Sequence, residues 1–359
     1  MKLKKIIAML LALAMMFAMA ACSDSGSSNA SGNSAASGSK DDSKVYTLKL
    51  DCVDPSTSIT AVGLERFKAE VEEKSEGRIQ INIFYGSTLG ALADAYDNLL
   101  MGTSDMAWGA NAHYTGRFPC TEGLTIPFMG AETPYQAAQV LWDLYETDEQ
   151  FQKEYQDVKV LALHTSAAFT LTSAGKDPTD LNAYAGLKVR TSSSNLTNWA
   201  SHMGLTPIAL GAGEVYEALS KGVVNMAVWD VGGLCNYKVY EQIDSMVEEP
   251  ICFQPFFLLM NKNSYNELPE DLQAVIDECS GQHLVDAMAN DWQDFADTSK
   301  QTLIDEGVKM VTLSGEVEQV WMDAAELVRA DWIETLNGLG YDGQAMNDAL
   351  VAAIEANAQ

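Results

Sequence analysis

The sequence predicts an α/β protein built as two lobes with a cleft between them, and three observations predict it. Strand-like and helix-like hydrophobic patterns alternate from about residue 45 onward, as they do where helices pack on sheets. No linker rich in Pro or Ser interrupts that region, so the lobes are expected to share strands the chain crosses more than once. A helical tract from near Pro269 to Glu306 is long enough to cross both lobes. Lobes joined by hinge strands enclose a cleft, and clefts of this kind hold ligands.

The elements follow in order. "YTLKL" alternates as a strand, and "STSITAVGLERFKAEVEEKSEG" carries a helix closed by Gly77. In "RIQINIFYG", Ile79, Ile81 and Ile83 share one face, the period of a half-buried strand. A helical run from Leu89 to Met101 stops at Gly102, and "DMAWGAN" reads as a buried strand. Beyond a loop with "GRFP" and "TIPF", a helix is expected over about Pro134 to Tyr145, then an apolar strand from Val158 to Leu163. The same alternation resumes with strand "FTLTS", a turn or short helix at "DLNAYAG", strand "LKVR" and a helix to Gly204. Strand "TPIAL", a helix in "GEVYEALSKG" and strand "VVNMAVW" come next. In the long tract Leu272, Ile276 and Cys279 form one apolar stripe, and Gly281 is placed to kink or divide it. "VKMVTLS" is a late strand, and two acidic amphipathic helices close the chain; no solenoid repeat is present. This order predicts largely parallel sheets. Lobe I is expected over 45–166, completed by about 255–295, and lobe II over 167–254, completed by about 296–359.

The composition bounds what such a protein binds. With 359 residues the chain suits two domains, and 47% apolar residues suffice for their cores. A net charge of −28 argues against nucleic acid as a partner, and an acidic ligand must find a local basic group against the overall field. "MKLKKIIAMLLALAMMFAMAAC" has a basic start, an apolar stretch and small residues before Cys22, which is an export signal over residues 1–22. Its end, Met19-Ala20-Ala21-Cys22, resembles a bacterial lipobox with Met19 where Leu is usual, so Cys22 is the expected lipidation site; simple cleavage near Ala21 and a retained transmembrane helix, for which the apolar stretch is short, are the alternatives. Residues 23–44, rich in Ser, Gly and Asn, read as a flexible tether, so the protein is expected outside the cell membrane, held to its outer face. No later stretch approaches the ~20 apolar residues of a membrane span. Setting Cys22 aside, Cys52, Cys120, Cys235, Cys252 and Cys279 are widely spaced; an odd number leaves a free thiol, and small buried side chains are the favoured reading.

One stretch asks for an anion. In "YAGLKVRTSSSNLTNWASHMG" a short strand ends on Arg190, and Ser192, Ser193 and Ser194 lead into a helix. In open α/β sheets ligands sit beyond the carboxyl ends of strands, where helix N-termini point their N–H groups. Serines cap such helices, and arginine offers a planar fork matched to a carboxylate. Spacing alone leaves open a surface Arg paired with one of the 50 acidic side chains.

The stretch continues as "YAGLKVRTSSSNLTNWASHMGLTPIALGAGEVYEALSKGVVNMAVWD", which resembles the core motif of substrate-binding proteins of TRAP (tripartite ATP-independent periplasmic) transporters. Those proteins carry a GLK-[IV]-R strand, a helix, G-x-x-P, and then E-[VL]-Y-x-AL-x-x-G-x-V-[DN]. "FKAEVEEKSEGRIQINIFYGSTLG", "MGTSDMAWG", "IPFMG", "VYEQIDSM" and "NELPEDLQAVIDE" are similar to further landmarks, in order, from about Tyr46 to Asp297. The resemblance implies a two-lobed, periplasmic-binding-protein-like fold of type II, hinged about its cleft. It implies a monomer that binds a small organic acid, holds the carboxylate with Arg190, and hands it to a small and a large membrane subunit. No cofactor is implied.

Departures from the family pattern describe the ligand. Sialic-acid binders of the family have a second arginine where "HTSAAFTLTS" puts Phe169, and an asparagine where "VNMAVWDVGG" puts Trp229. Ala110 replaces a carboxylate, and Trp108 stands near it in sequence, so the pocket is expected to be more apolar than a sugar-acid or C4-dicarboxylate site. Plain core packing is the alternative for both aromatics. Asp230 is placed either to accept from a ligand or to cap the Gly232-Gly233 turn, and Asn111 and Gln254 are candidate polar contacts. Arg117 reads as a structural ion pair. His113, His164, His202 and His283 lack metal spacing, although His164 stands near the expected hinge. The rival functions are a secreted enzyme acting on small acids and a receptor feeding an ABC transporter or sensor. No nucleophile elbow, zinc motif, Walker loop or dinucleotide fingerprint favours an enzyme.

Overall fold

The computed structural model describes residues 44–114 and 116–358. The export signal, Cys22 and the tether as far as residue 43 lie outside the described residues. In chain order the strands are β1 (Tyr46–Cys52), β2 (Ile79–Phe84), β3 (Met106–Ala110), β4 (Val158–Thr165), β5 (Phe169–Ser173) and β6 (Lys188–Thr191). They continue as β7 (Thr206–Ala209), β8 (Met226–Asp230), β9 (Ser245–Val247), β10 (Pro255–Asn261) and β11 (Lys309–Val311). One sheet has the order β2-β1-β3-β10-β4 and belongs to lobe I; the other, β11-β9-β5-β8-β6-β7, belongs to lobe II. The helices used below are α1 (Ile59–Lys74), α2 (Pro134–Thr147), α3 (Ser194–His202), α4 (Val231–Asn236), α5 (Gln282–Asp305), α6 (Glu316–Gly338) and α7 (Gly343–Ala356).

Local chemistry explains these elements. The Ser58 hydroxyl accepts the Ala61 N–H at the start of α1, and Leu64, Phe67 and Val71 line its buried face at helical spacing. The expected run from Leu89 to Met101 is shorter, a 3-10 turn at Leu92–Asp94 and a helix at Ala95–Leu100. The tract from Pro269 divides into Glu270–Glu278 and α5, because Gly281 takes φ +68°, ψ −149°, a backbone region essentially confined to glycine. All five described cysteines are free thiols, four of them buried. Among the described residues no helix is long and apolar enough to cross a membrane.

The sheets are mixed rather than largely parallel. β1 is parallel to β2 and β3, and β6 to β7 and β8, but β10 runs antiparallel between β3 and β4, and β5 antiparallel to β8 and β9. The reason is the crossing itself. β4 leaves the first sheet and becomes β5 of the second within a few residues, and β10 returns. Outgoing and returning chains are bonded as they pass: Ser166 N–H donates to Gln254 O at 3.0 Å and Phe169 N–H to Cys252 O at 2.8 Å. β10 escapes the alternation test because all seven of its residues, "PFFLLMN", are buried, and Pro255 occupies the first position, where a strand tolerates it.

Helix α5 is a further crossing, packed on α1, α2 and β4 and also on α4. At its lobe II contact a Cβ on Gly232 would lie 2.3 Å from the Phe295 ring, so glycine permits the close approach. Helix α6 packs on α3, whereas α7 packs on α2 and α6, so the closing residues serve both sheets rather than the second alone.

A buried carboxylate fixes one wall of the cleft. Glu154 accepts from the N–H groups of Cys120 and Thr121 and from the Thr121 hydroxyl, holding the 3-10 segment Thr121–Thr125. The far end of that segment meets lobe II: Asn195 Nδ2 donates to Glu122 O at 3.2 Å and to Thr125 Oγ1 at 2.9 Å. Burial pushes the Glu154 carboxyl up to about 7 from its ordinary 4.5, so the folded protein holds a proton that the unfolded chain releases. The stability this group contributes is complete below its unfolded pKa and is lost as pH rises through about 7. His164, whose pKa burial lowers to about 3, acts in the opposite sense, so the informative comparison is with Glu154→Gln. Raising the pH from about 5 to about 8 is expected to destabilise the wild type more than Glu154→Gln, read from denaturant midpoints; parallel pH profiles would contradict the assignment.

Candidate functional site

Strand β6 lies between β7 and β8, with Arg190 next to its last residue. The side chain rises at the carboxyl ends of three parallel strands. Its Nε donates to Leu210 O, just past β7, at 3.1 Å, and its Nη1 donates to Val228 O of β8 at 3.0 Å. The guanidinium carbon stands 4.8 Å from the centre of the Trp229 ring, a cation–π contact. Arg190 is only 4% exposed, yet among the described residues no carboxylate forms an ion pair with it. Its two bonds leave Nη2 and the remaining N–H of Nη1 free of hydrogen bonds, a fork suited to two carboxylate oxygens.

The electrostatics agree with that geometry. Burial pushes the Arg190 pKa down to about 10, offset in part by the charge of Asp230, so it stays a cation at neutral pH. A buried cation without a paired anion costs several kcal/mol after relaxation, and here it is held in place by two carbonyls and an indole. Just beyond it, the Ser193 hydroxyl caps α3 through the Leu196 N–H, so the middle serine is the cap, and the neighbouring Ser192 hydroxyl is buried without a partner.

Trp229 and Asp230 end β8 beside Arg190. The Trp229 ring lies on the first turn of α4, where a Cβ on Gly233 would come within 2.4 Å of it, and its centroid is 5.3 Å from that of Tyr237. Asp230 caps α4, accepting the Gly233 N–H at 2.9 Å, and burial pushes its carboxyl up to about 6 despite that bond and the charge of Arg190. Phe169, on the neighbouring strand β5, pairs in register with Asp230 and is bridged to Cys252 in the crossing.

Other predicted residues sit elsewhere. Trp108 is buried in lobe I, donating from Nε1 to His164 Nε2 at 3.0 Å and packing 4.9 Å from Phe256. Asn111 donates to the Tyr155 hydroxyl at 3.0 Å, which leaves its Oδ1 buried without a partner. Gln254 lies in the crossing, its N–H on Ser166 Oγ. Arg117 pairs with Asp97 at 3.3 Å and lies over Tyr96, a structural pair as expected. Among the described residues no group of three or more His, Cys, Asp or Glu is arranged to hold a metal.

Three side chains missed in the sequence complete the surroundings. His113 is exposed, yet burial by surrounding protein lowers its pKa and the charge of Arg190 lowers it further. Tyr237 is 42% exposed, yet burial and then the charge of Asp54 raise its pKa. His113 and Asp54 follow β3 and β1 in lobe I, whereas Arg190 and Tyr237 belong to lobe II. The Gly232-Gly233 pair after "VWD" was the sequence signal for Tyr237, because it lets the chain fold back tightly under Trp229. Two cavities lie away from Arg190: about 790 Å³ beside β4, lined by Tyr145, Lys159 and Lys262, and about 250 Å³ between Phe128, Glu249 and Met322.

Comparison with known proteins agrees with this architecture. Residues 52–335 match the model of bacterial extracellular solute-binding protein, family 7. The chain is 25% identical over 258 residues to the 2,3-diketo-L-gulonate-binding periplasmic protein of Escherichia coli K12, spanning 70% of this chain and 76% of that one. Among solved structures, a TRAP solute-binding protein from an unidentified marine microbe, specific for aromatic acids and in complex with metahydroxyphenylacetate, is 26% identical with a TM-score of 0.81. The match covers 88% of this chain and 100% of that one. A TRAP solute-binding protein of Rhodoferax ferrireducens T118 with copurified benzoate is 25% identical with a TM-score of 0.79, covering 87% and 98% of the two chains. With the fold, the crossing strands and the family model in agreement, the chain belongs to the bacterial extracellular solute-binding proteins of family 7, the substrate-binding proteins of TRAP transporters.

Proposed function

We propose that this protein captures a small organic acid with an aromatic or branched apolar body, and that Arg190 receives its carboxylate. The observation that carries the reading is a buried, charged guanidinium with a free outer fork and no anion paired to it. A carboxylate on that fork would form charge-assisted hydrogen bonds, about twice as strong as neutral ones, and relieve the cost of the buried charge. Trp229 and Tyr237 supply an aromatic wall beside it. An apolar ligand body laid on those rings gains roughly 25 cal/mol per Å² of apolar surface removed from water. Related TRAP proteins that bind aromatic acids support the same ligand class.

The acid is released unaltered to the small and large membrane subunits of a TRAP transporter, the protein acting as a monomeric receptor. Lobe closure about the paired crossing strands and α5 would enclose it. The sequence Met19-Ala20-Ala21-Cys22 and the Ser/Gly-rich stretch after it support a lipid anchor on Cys22 outside the cell membrane. In calorimetric titration with benzoate or phenylacetate, Arg190→Ala is expected to lose about 2–5 kcal/mol of binding free energy, and Arg190→Lys to recover only part of it. Unchanged affinity in Arg190→Ala would refute the role of Arg190. For the anchor, Cys22→Ser is expected to move the exported protein from the membrane fraction to the soluble fraction; continued sedimentation with membranes would refute lipidation there.

A further inference from the structure

We propose that a trough beside the crossing strands is a second binding site of this protein, and that it takes a small organic cation: a guanidinium, amidinium or ammonium group on a short apolar body. None of the residues lining it bonds Arg190, so the inference does not depend on the reading of that residue.

The cavity of about 250 Å³ has an apolar floor that includes Phe128, Leu313 and Met322, and three carboxylates line it, those of Glu132, Glu249 and Glu318. No Lys, Arg or His is among its lining residues. A smaller cavity of about 140 Å³ shares Glu132, Glu249 and Pro250 with it and extends to Gln293 and Asp297 of α5, so the two adjoin as one trough. Pro250 lies in the chain returning from β9 to β10, and the Phe128 N–H donates to Ile251 O of that segment at 2.7 Å. Ala168, from the outgoing segment, lines the smaller cavity. Both crossings therefore contribute to the trough.

Its polar lining accepts and does not donate. Glu249 Oε1 accepts the Leu313 N–H at 2.9 Å, which fixes the side chain, while Oε2 is buried without a partner. Gln293 gives its Nε2 to Asp297 at 3.2 Å, and its Oε1 is likewise buried without a partner. The carboxylates of Glu132 and Glu318 form no hydrogen bond or ion pair among the described residues. Lys300, the single basic residue lining the smaller cavity, stands 3.5 Å from Glu248. Buried acceptors without donors are costly, and the groups that relieve several at once carry donors only. Guanidinium and ammonium groups are of that kind, and their charge answers the three carboxylates. The floor removes the attached hydrocarbon from water. A bare metal ion would leave that floor uncovered, and among the described residues no acidic group is arranged to hold one.

The test is calorimetric titration with benzamidine and with its neutral analogue benzamide. The proteins are wild type, Glu249→Gln, Glu318→Gln and, as a control for the overall charge of −28, Glu73→Gln at an exposed position of α1. Gln at position 249 keeps an oxygen for the Leu313 N–H and puts a donor in place of Oε2. Glu318 is exposed, so its substitution leaves the packing intact. Wild type is expected to bind benzamidine at least about tenfold more tightly than benzamide. Glu249→Gln is expected to lose at least about tenfold in benzamidine affinity and Glu318→Gln about threefold, whereas Glu73→Gln stays within about twofold of wild type. Should Glu249→Gln fail to fold, the comparison of Glu318→Gln with Glu73→Gln decides. No binding of benzamidine, equal binding of benzamide, or a loss in Glu73→Gln as large as that in Glu318→Gln would overturn the site.

Discussion

A single buried charge without an ion-pair partner organises this molecule. The Arg190 guanidinium is withdrawn from water, tied to the carbonyls of Leu210 and Val228, laid beside an indole, and left without a carboxylate partner. Proteins avoid burying a lone ion because the cost is several kcal/mol. On the reading proposed above, a fold that holds one in place for a visiting anion has a permanent reason to close on that anion. The overall charge of −28 sharpens the point: acids approach against an adverse field, so selectivity depends on a local cation placed where solvent screening is weak.

The architecture serves that cation. Parallel β6, β7 and β8 bring their carboxyl ends together, so backbone carbonyls at two of those ends can hold the side chain from either side. From the first sheet's side the Thr121–Thr125 segment, which follows β3, reaches across to Asn195 at the start of α3. Between the sheets run paired strands and α5, elements with backbone hydrogen bonds of their own, which allow two lobes to pivot without either unfolding. Asn195 touches the Thr121–Thr125 segment close to Ser193, so the helix cap beside Arg190 is also where the lobes meet.

Much of this was legible in the sequence because local rules governed it. The helix over 59–74, the alternation of Ile79 and Ile81, and the glycine break at Gly281 follow from capping, period and backbone freedom. Strand β10 was not legible, since a strand buried on both faces has no period to read. Arg190, Trp229 and Asp230 were named together because chemistry and chain position coincide there, and the fold sets them side by side. Trp108 was named from its nearness to Ala110 in sequence and Gln254 as a residue of a cleft-side loop; the fold puts Trp108 in the lobe I core and Gln254 in the crossing. Tyr237 and Asp54 were not singled out, and His113 was read only as lacking metal spacing, because charges that act between distant segments, Arg190 on His113 and Asp54 on Tyr237, leave no mark in any window of sequence.

The most direct measurement is a crystal structure of the protein grown with benzoate. The account predicts density for the acid between the lobes, with both carboxylate oxygens on the outer nitrogens of Arg190 and the ring against Trp229. An acid seated elsewhere, or an Arg190 swung into contact with Asp230 and closed to ligand, would contradict it.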